Sequence, residues 1–270
     1  MLNRTGILMI ALAAVACGER SITDTPQAKD ARSIAPSFAM LPGAQVAVAF
    51  EPLEVPPWYV AGPIHAQDDW SSTGALGSGG PGYDHQVVLN SLGSYDYPAF
   101  ELQSLRISNA VTSGSFGDHT FSKRLTNAAG ESDANGGGFA LTAGTPKNHF
   151  EAQWDFASTV PGAEQPGLSV VASPDRGDGA RMSWVQMTDT PDGLDINFFD
   201  VQGEDNPANF VGPTRVASGL DRSVPHTIRI TMDFVDGPSN DVVRVYVDGA
   251  LRHTGTSWEN YFRFDSEAAA

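Results

Sequence analysis

Between Pro225 and Trp258 the chain runs PHTIRITMDFVDGPSNDVVRVYVDGALRHTGTSW, and few architectures accommodate such a stretch. Ile228, Ile230, Met232 and Phe234 alternate with Thr227, Arg229, Thr231 and Asp233. Period two sets the apolar side chains on one face of a strand and the polar ones on the other. A turn-rich loop follows, Val235 to Asp241, with Asp236-Gly237 and Pro238 in it. Val243, Val245 and Val247 then alternate with Val242, Arg244 and Tyr246. Asp248-Gly249 supplies a two-residue turn whose members tolerate positive φ. Leu251 and His253 carry the returning strand. The stretch predicts a β-meander, buried on one face and wetter on the other.

The same pattern recurs upstream. Gln103 to Asn109 predicts a short strand with Leu105 and Ile107 on one face. Asn148 to Ala157 predicts a stronger one, with Phe150, Ala152, Trp154 and Phe156 on one side and Glu151, Gln153 and Asp155 on the other. Further strands are expected at Leu168 to Ala172, at Arg181 to Met187 around Trp184, and at Leu194 to Val201. Trp154 and Trp184 read as core. No helix of ordinary length stands out after the first residues, and no internal repeat is visible. Short strands divided by Asp, Gly and Pro turns predict an all-β protein, an antiparallel two-sheet β-sandwich.

The series FEAQWDF, SVVASPDRGDGARMSWVQM, LDINFFDV, HTIRITMDFV and DVVRVYVDGALRHTG resembles the concanavalin A-like lectin/glucanase superfamily, closest to its laminin-G-like branch. The resemblance covers roughly residues 60 to 265 and implies a jelly roll. It also implies an extracellular carbohydrate-binding role, with calcium as a possible companion. It does not fix an activity, because that superfold hosts lectins, hydrolases, lyases and adhesion modules.

The first residues give an address. Met1 to Ala16 reads MLNRTGILMIALAAVA: a positive Arg4, a short apolar run from Ile7 to Val15, then small residues ahead of Cys17. The apolar run is too short for a transmembrane helix and has the form of a signal peptide. Ala14-Val15-Ala16-Cys17 resembles the lipobox of bacterial lipoproteins, in which the cysteine carries the lipid, although Ala14 stands where leucine is usual. Cys17 is the only cysteine, so no disulfide can form within the chain. The polar run after it, with prolines and small residues, suits a tether. The expected organisation is a leader over 1–16, a tether over 17–60 and the β-sandwich over 61–270. That places the protein outside the cytoplasm of a bacterium, held to the outer membrane or cell surface by its lipid alone. Sixteen basic against 32 acidic residues, a net charge of −16, exclude nucleic acid as a partner.

Chemistry is less legible. Glycoside hydrolysis needs two carboxyl groups across a groove, and Glu151 with Asp155 has the rhythm of the Glu-x-Asp-x-Glu strand of some glucanases, with Gln153 in the central place. A polysaccharide lyase would draw its base and its neutralising cation from His119, His149, Arg181, His226 and Tyr246. Neither set forms a recognisable motif, and no hydrolase elbow, phosphate loop or zinc-protease motif is present. Without catalysis, aromatic rings in Gly- and Ser-rich stretches could stack on sugars: Trp70, Tyr83, Tyr95 and Tyr97. Trp258 with Tyr261 and Phe262 would cap the sandwich or line a cleft. Calcium takes oxygen ligands from loops. Asp175 and Asp178 in Asp-Arg-Gly-Asp-Gly are the first choice. Asp189 to Asp192, Glu204 to Asn206, Asp236 to Asp241 and Glu131 to Gly136 are further candidates. Asp, Asn and Gly equally serve simply to make turns. The expectation is a surface-tethered, non-catalytic domain that binds an extracellular glycan or protein. The alternative is a glycan-active enzyme on the concave face.

Overall fold

The computed structural model describes residues 7–16, 44–50, 59–72, 84–90, 100, 102–108, 118–127, 129–131, 147–175 and 181–268. The first strands are β1 (Ile7–Ala16), β2 (Ala44–Val46), β3 (Gly62–Pro63), β4 (Ser71–Ser72) and β5 (His85–Leu89). They are followed by β6 (Gln103–Ser108), β7 (Thr120–Phe121), β8 (His149–Ser158), β9 (Ser169–Ala172) and β10 (Trp184–Thr190). The last are β11 (Gly193–Gln202), β12 (Asn209–Leu220), β13 (His226–Asp233), β14 (Val242–Val247) and β15 (Ala250–Gly255), before the short helix α1 (Glu259–Phe264).

Nine strands form one sheet in the order β15-β14-β13-β8-β1-β6-β5-β3, with β2 paired to β1. Four form a second, β12-β11-β10-β9, and β4 pairs with β7. All the paired strands run antiparallel. The protein is an all-β sandwich, and its main core lies between the two larger sheets. Trp154, Phe156, Ile228, Ile230, Met232, Val243, Val245 and Val247 face Val170, Val185, Met187, Leu194, Ile196 and Phe198. Each such side chain contributes about 1.5–3 kcal/mol when fully buried. The expected inward sets of β8, β13 and β14 are the ones the core uses.

The turn after β14 is as expected: Asp248 and Gly249 both have positive φ, 51° and 77°, which lets β14 reverse directly into β15. After β8, three elements depart from the sequence reading. The strand expected from Arg181 begins only at Trp184 and runs to Thr190. The twelve-residue β12 was not expected, because most of its side chains are exposed and it carries almost no apolar alternation. Helix α1 is six residues long, too short to show a periodic stripe.

A second core gathers Val48, Phe50, Tyr59, Ile64, Trp70, Val87 and Leu105. Packing therefore begins ahead of residue 61. Trp70, expected as an exposed stacking ring, is 2% exposed. Its ring lies 5.6 Å from that of Phe50, and its indole N–H donates to the Tyr59 hydroxyl. That is the bonding of a core tryptophan, whose polar edge finds a buried partner.

Candidate functional site

Because successive strand residues face opposite ways, the residues that fill the core from β8, β13 and β14 leave a second set on the outer face of the large sheet. The pairing register lines these up in rows. Gln153, Arg229 and Tyr246 are cross-strand neighbours, as are Glu151, Thr231 and Arg244, while His149 lies opposite Asp233 and Asp155 opposite Thr227.

Most of these groups are bound to one another. Arg229 Nη1 donates to Glu151 Oε1 at 2.9 Å, and its guanidinium lies 3.9 Å from the centroid of the Tyr246 ring. Arg244 Nη1 donates to Asp233 Oδ2, and Asp233 Oδ1 is 2.6 Å from His149 Nδ1. Burial would raise the Asp233 carboxyl, but the hydrogen bonds from Arg244 and His149 hold it below the usual range. His149 Nε2 reaches to 3.7 Å from Glu151 Oε2, so one network links all three strands. Thr231 Oγ1, between Glu151 and Arg244, is buried with no hydrogen-bond partner among the described residues. Asp155 is half-buried; burial pushes its carboxyl up, against the pull of the hydrogen bond that it accepts from Thr227.

The two carboxylates of the hydrolase alternative thus share this face, but each is engaged. Gln153 stands between them, with Cα atoms four residues apart on a strand about 13 Å from each other. A glycosidase pair needs roughly 5–9.5 Å between carboxyl groups. Of the lyase set, only His149 and Tyr246 lie on this face, in different cross-strand rows. His119 and Arg181 hydrogen-bond each other, and His226 pairs with Asp248 at the β14–β15 turn. Gln153 and Arg229 join the face, which sequence reasoning had not grouped with Tyr246. The signal was there in the period-two polar positions of two strands, but the register that aligns them was not.

Of the expected stacking rings, Trp70 is internal, and Tyr83, Tyr95 and Tyr97 lie outside the described residues. Trp258 is 6% exposed and caps the sandwich, donating from its indole N–H to the Phe199 carbonyl. Trp184, expected in the core, is on the opposite side of β10 from Val185 and Met187. It is half-buried, with ring contacts to Phe199 and Trp258 and the Arg181 guanidinium over it.

The expected calcium pair does not come into view as a site. Asp178 lies outside the described residues, and Asp175 is exposed, its backbone paired with that of Arg181 in an isolated antiparallel β-bridge. Among the described residues, a different trio gathers: Glu131, Asp241 and Glu259, all buried, with one ligand atom from each within 4.8 Å of the others. Two of the five loops singled out by composition supply Glu131 and Asp241, and the first turn of α1 supplies Glu259. The local backbone holds them. Glu259 Oε1 accepts the N–H groups of Asn240 and Asp241 at 2.8 and 3.0 Å. Asp241 accepts from the Val235 N–H and from the Ser257 hydroxyl. Glu131 Oε2 accepts from the Gly237 N–H and from Arg263. Burial pushes Glu131 up to about 7 in spite of Arg263, and Asp241 up to about 6.

Comparison with protein-family models, with curated proteins and with solved structures finds no match.

Proposed function

We propose that this chain is a surface-tethered binding domain that holds an extracellular glycan on the outer face of the β8–β13–β14 strands. The observation that supports this reading is the row Gln153–Arg229–Tyr246 beside Glu151–Thr231–Arg244. It combines a half-buried aromatic ring, an amide and guanidinium groups on one sheet face. Sugars are recognised by that combination: an apolar ring face stacks, and fixed polar groups take the hydroxyls. The carboxylates already have partners, which suits ligand positioning better than proton transfer. The jelly-roll topology and the lipid at Cys17 belong to the same reading, with the lipid anchoring the domain to the membrane outside the cytoplasm.

A second reading has one observation in its favour. His149, Gln153, Arg229 and Tyr246 share this face, and they are the residue types that a lyase uses to neutralise a uronate and remove its proton. One experiment separates the two. The full chain is incubated with neutral and uronate-containing polysaccharides, and both retained protein and released oligosaccharide are measured. Retention without product supports binding. Unsaturated product shifts the assignment to a lyase. Neither retention nor product contradicts both.

A further inference from the structure

We infer that Glu131, Asp241 and Glu259 form a site for a hard divalent cation of about the size of calcium, which fastens the Val235–Asp241 loop to the start of α1. Three independent features converge on it. The first is reach: ligand atoms within 4.8 Å of one another can share one ion at the calcium–oxygen distance of about 2.3–2.6 Å. The second is a deficit of donors. Glu131 Oε1 and Glu259 Oε2 are buried without a hydrogen bond among the described residues, on side chains 0% and 1% exposed. Arg263 Nε stands 3.5 Å from Glu259 Oε2, an ion-pair distance that supplies no hydrogen bond. The other oxygens of the trio are satisfied by backbone N–H groups, the Ser257 hydroxyl and Arg263. These donors fix the carboxylates in place and leave one oxygen of each glutamate without a donor.

The third feature is charge. Among the described residues the three carboxylates meet the guanidinium of Arg263 in a dry interior, where any ionised carboxylate beyond that one charge is expensive to leave unbalanced. One divalent cation closes that balance. The ligand set is oxygen only, without sulfur or imidazole, which selects calcium or magnesium over zinc. The site is separate from the sheet face proposed to bind glycan, so either can fail without the other.

The test uses the full chain, stripped with chelator, and then calcium, magnesium or terbium added alone. Trp258 directly precedes Glu259 and would sensitise terbium emission under tryptophan excitation. The expected results are a melting temperature that rises by roughly 5–10 °C at a hundredfold excess of calcium over its Kd, together with sensitised terbium emission. Both should be lost in Glu131→Gln. If that variant does not fold, Asp241→Asn and the stripped and reloaded natural protein carry the test. Three results overturn the site. No ion changes melting or emission; the variants respond like the natural protein, placing the ion elsewhere; or stability rises only as pH falls with no response to ions, in which case protons neutralise the trio.

Discussion

His226 fastens the entry to β13, and its bonding carries a pH signature. Its Nδ1 is 2.8 Å from Asp248 Oδ2, its Nε2 is 3.0 Å from the Asp221 carbonyl oxygen, and its ring lies 5.9 Å from that of Phe156. Burial works to lower the imidazole, but the hydrogen bonds and charges of Asp248 and Asp221 outweigh it and raise it. A raised folded value means the contribution is fully present below the ordinary imidazole range, about pH 6.5, and is lost as pH climbs through the folded value. Asp248 acts in the opposite sense. Burial opposes its charge, yet the His226 and Thr227 hydrogen bonds lower its carboxyl, so its share fades only as pH falls through that lowered value. The pair should therefore stabilise most in mildly acidic solution. Denaturant melts from about pH 5 to 9 should show stability falling above about 6.5 in the natural protein. The His226→Gln variant should flatten that slope; an unchanged slope would remove His226 as its source.

At the scale of elements, β8 is the strand on which core and candidate face both depend. Its inner side presents Trp154 and Phe156, at 4% and 0% exposure, and its outer side Glu151, Gln153 and Asp155. Truncation of Phe156 to alanine should cost about 3–5 kcal/mol, the price of an aromatic cavity in a packed core. Ser218→Ala, on the exposed edge strand β12, should stay within about 0.5 kcal/mol. Urea melts of the two variants check both figures. The contrast also explains what could be foreseen. β8, β13 and β14 were legible because half their side chains are buried and the sequence alternates accordingly. β12 was not, because an exposed edge strand imposes no such alternation, and Trp70 was misplaced because Gly and Ser neighbours say nothing of a partner such as Phe50. The acidic trio was invisible as a unit: Glu131 accepts from the N–H of Gly237, 106 residues away, and meets Asp241 and Glu259 only through the fold. What sequence could supply was the two loops, not their meeting.

At the scale of the molecule, the leader and the sheet make competing demands. The structure pairs Ile7–Ala16 between β8 and β6, whereas cleavage ahead of Cys17 would remove that strand and leave β8 and β6 without it. The two arrangements cannot hold in one molecule. Intact mass of the protein recovered from bacterial membranes is expected to show a chain that starts at a lipid-modified Cys17. A chain that retains residues 1–16 would contradict the anchoring proposal and favour β1 as a permanent strand. The opposed strands β8–β13–β14 and β9–β12 share a core built from residues 154 to 247.

The outer face of those three strands is the centre of this account, and the most direct measurement compares the full chain with its Tyr246→Ala variant on one glycan array. The account predicts that the natural protein binds at least one glycan class. The variant, folded by its circular dichroism, should lose about tenfold or more in affinity for it, equivalent to about 1.4 kcal/mol. Equal binding by both proteins, or no binding by the natural one, would contradict the assignment of this face.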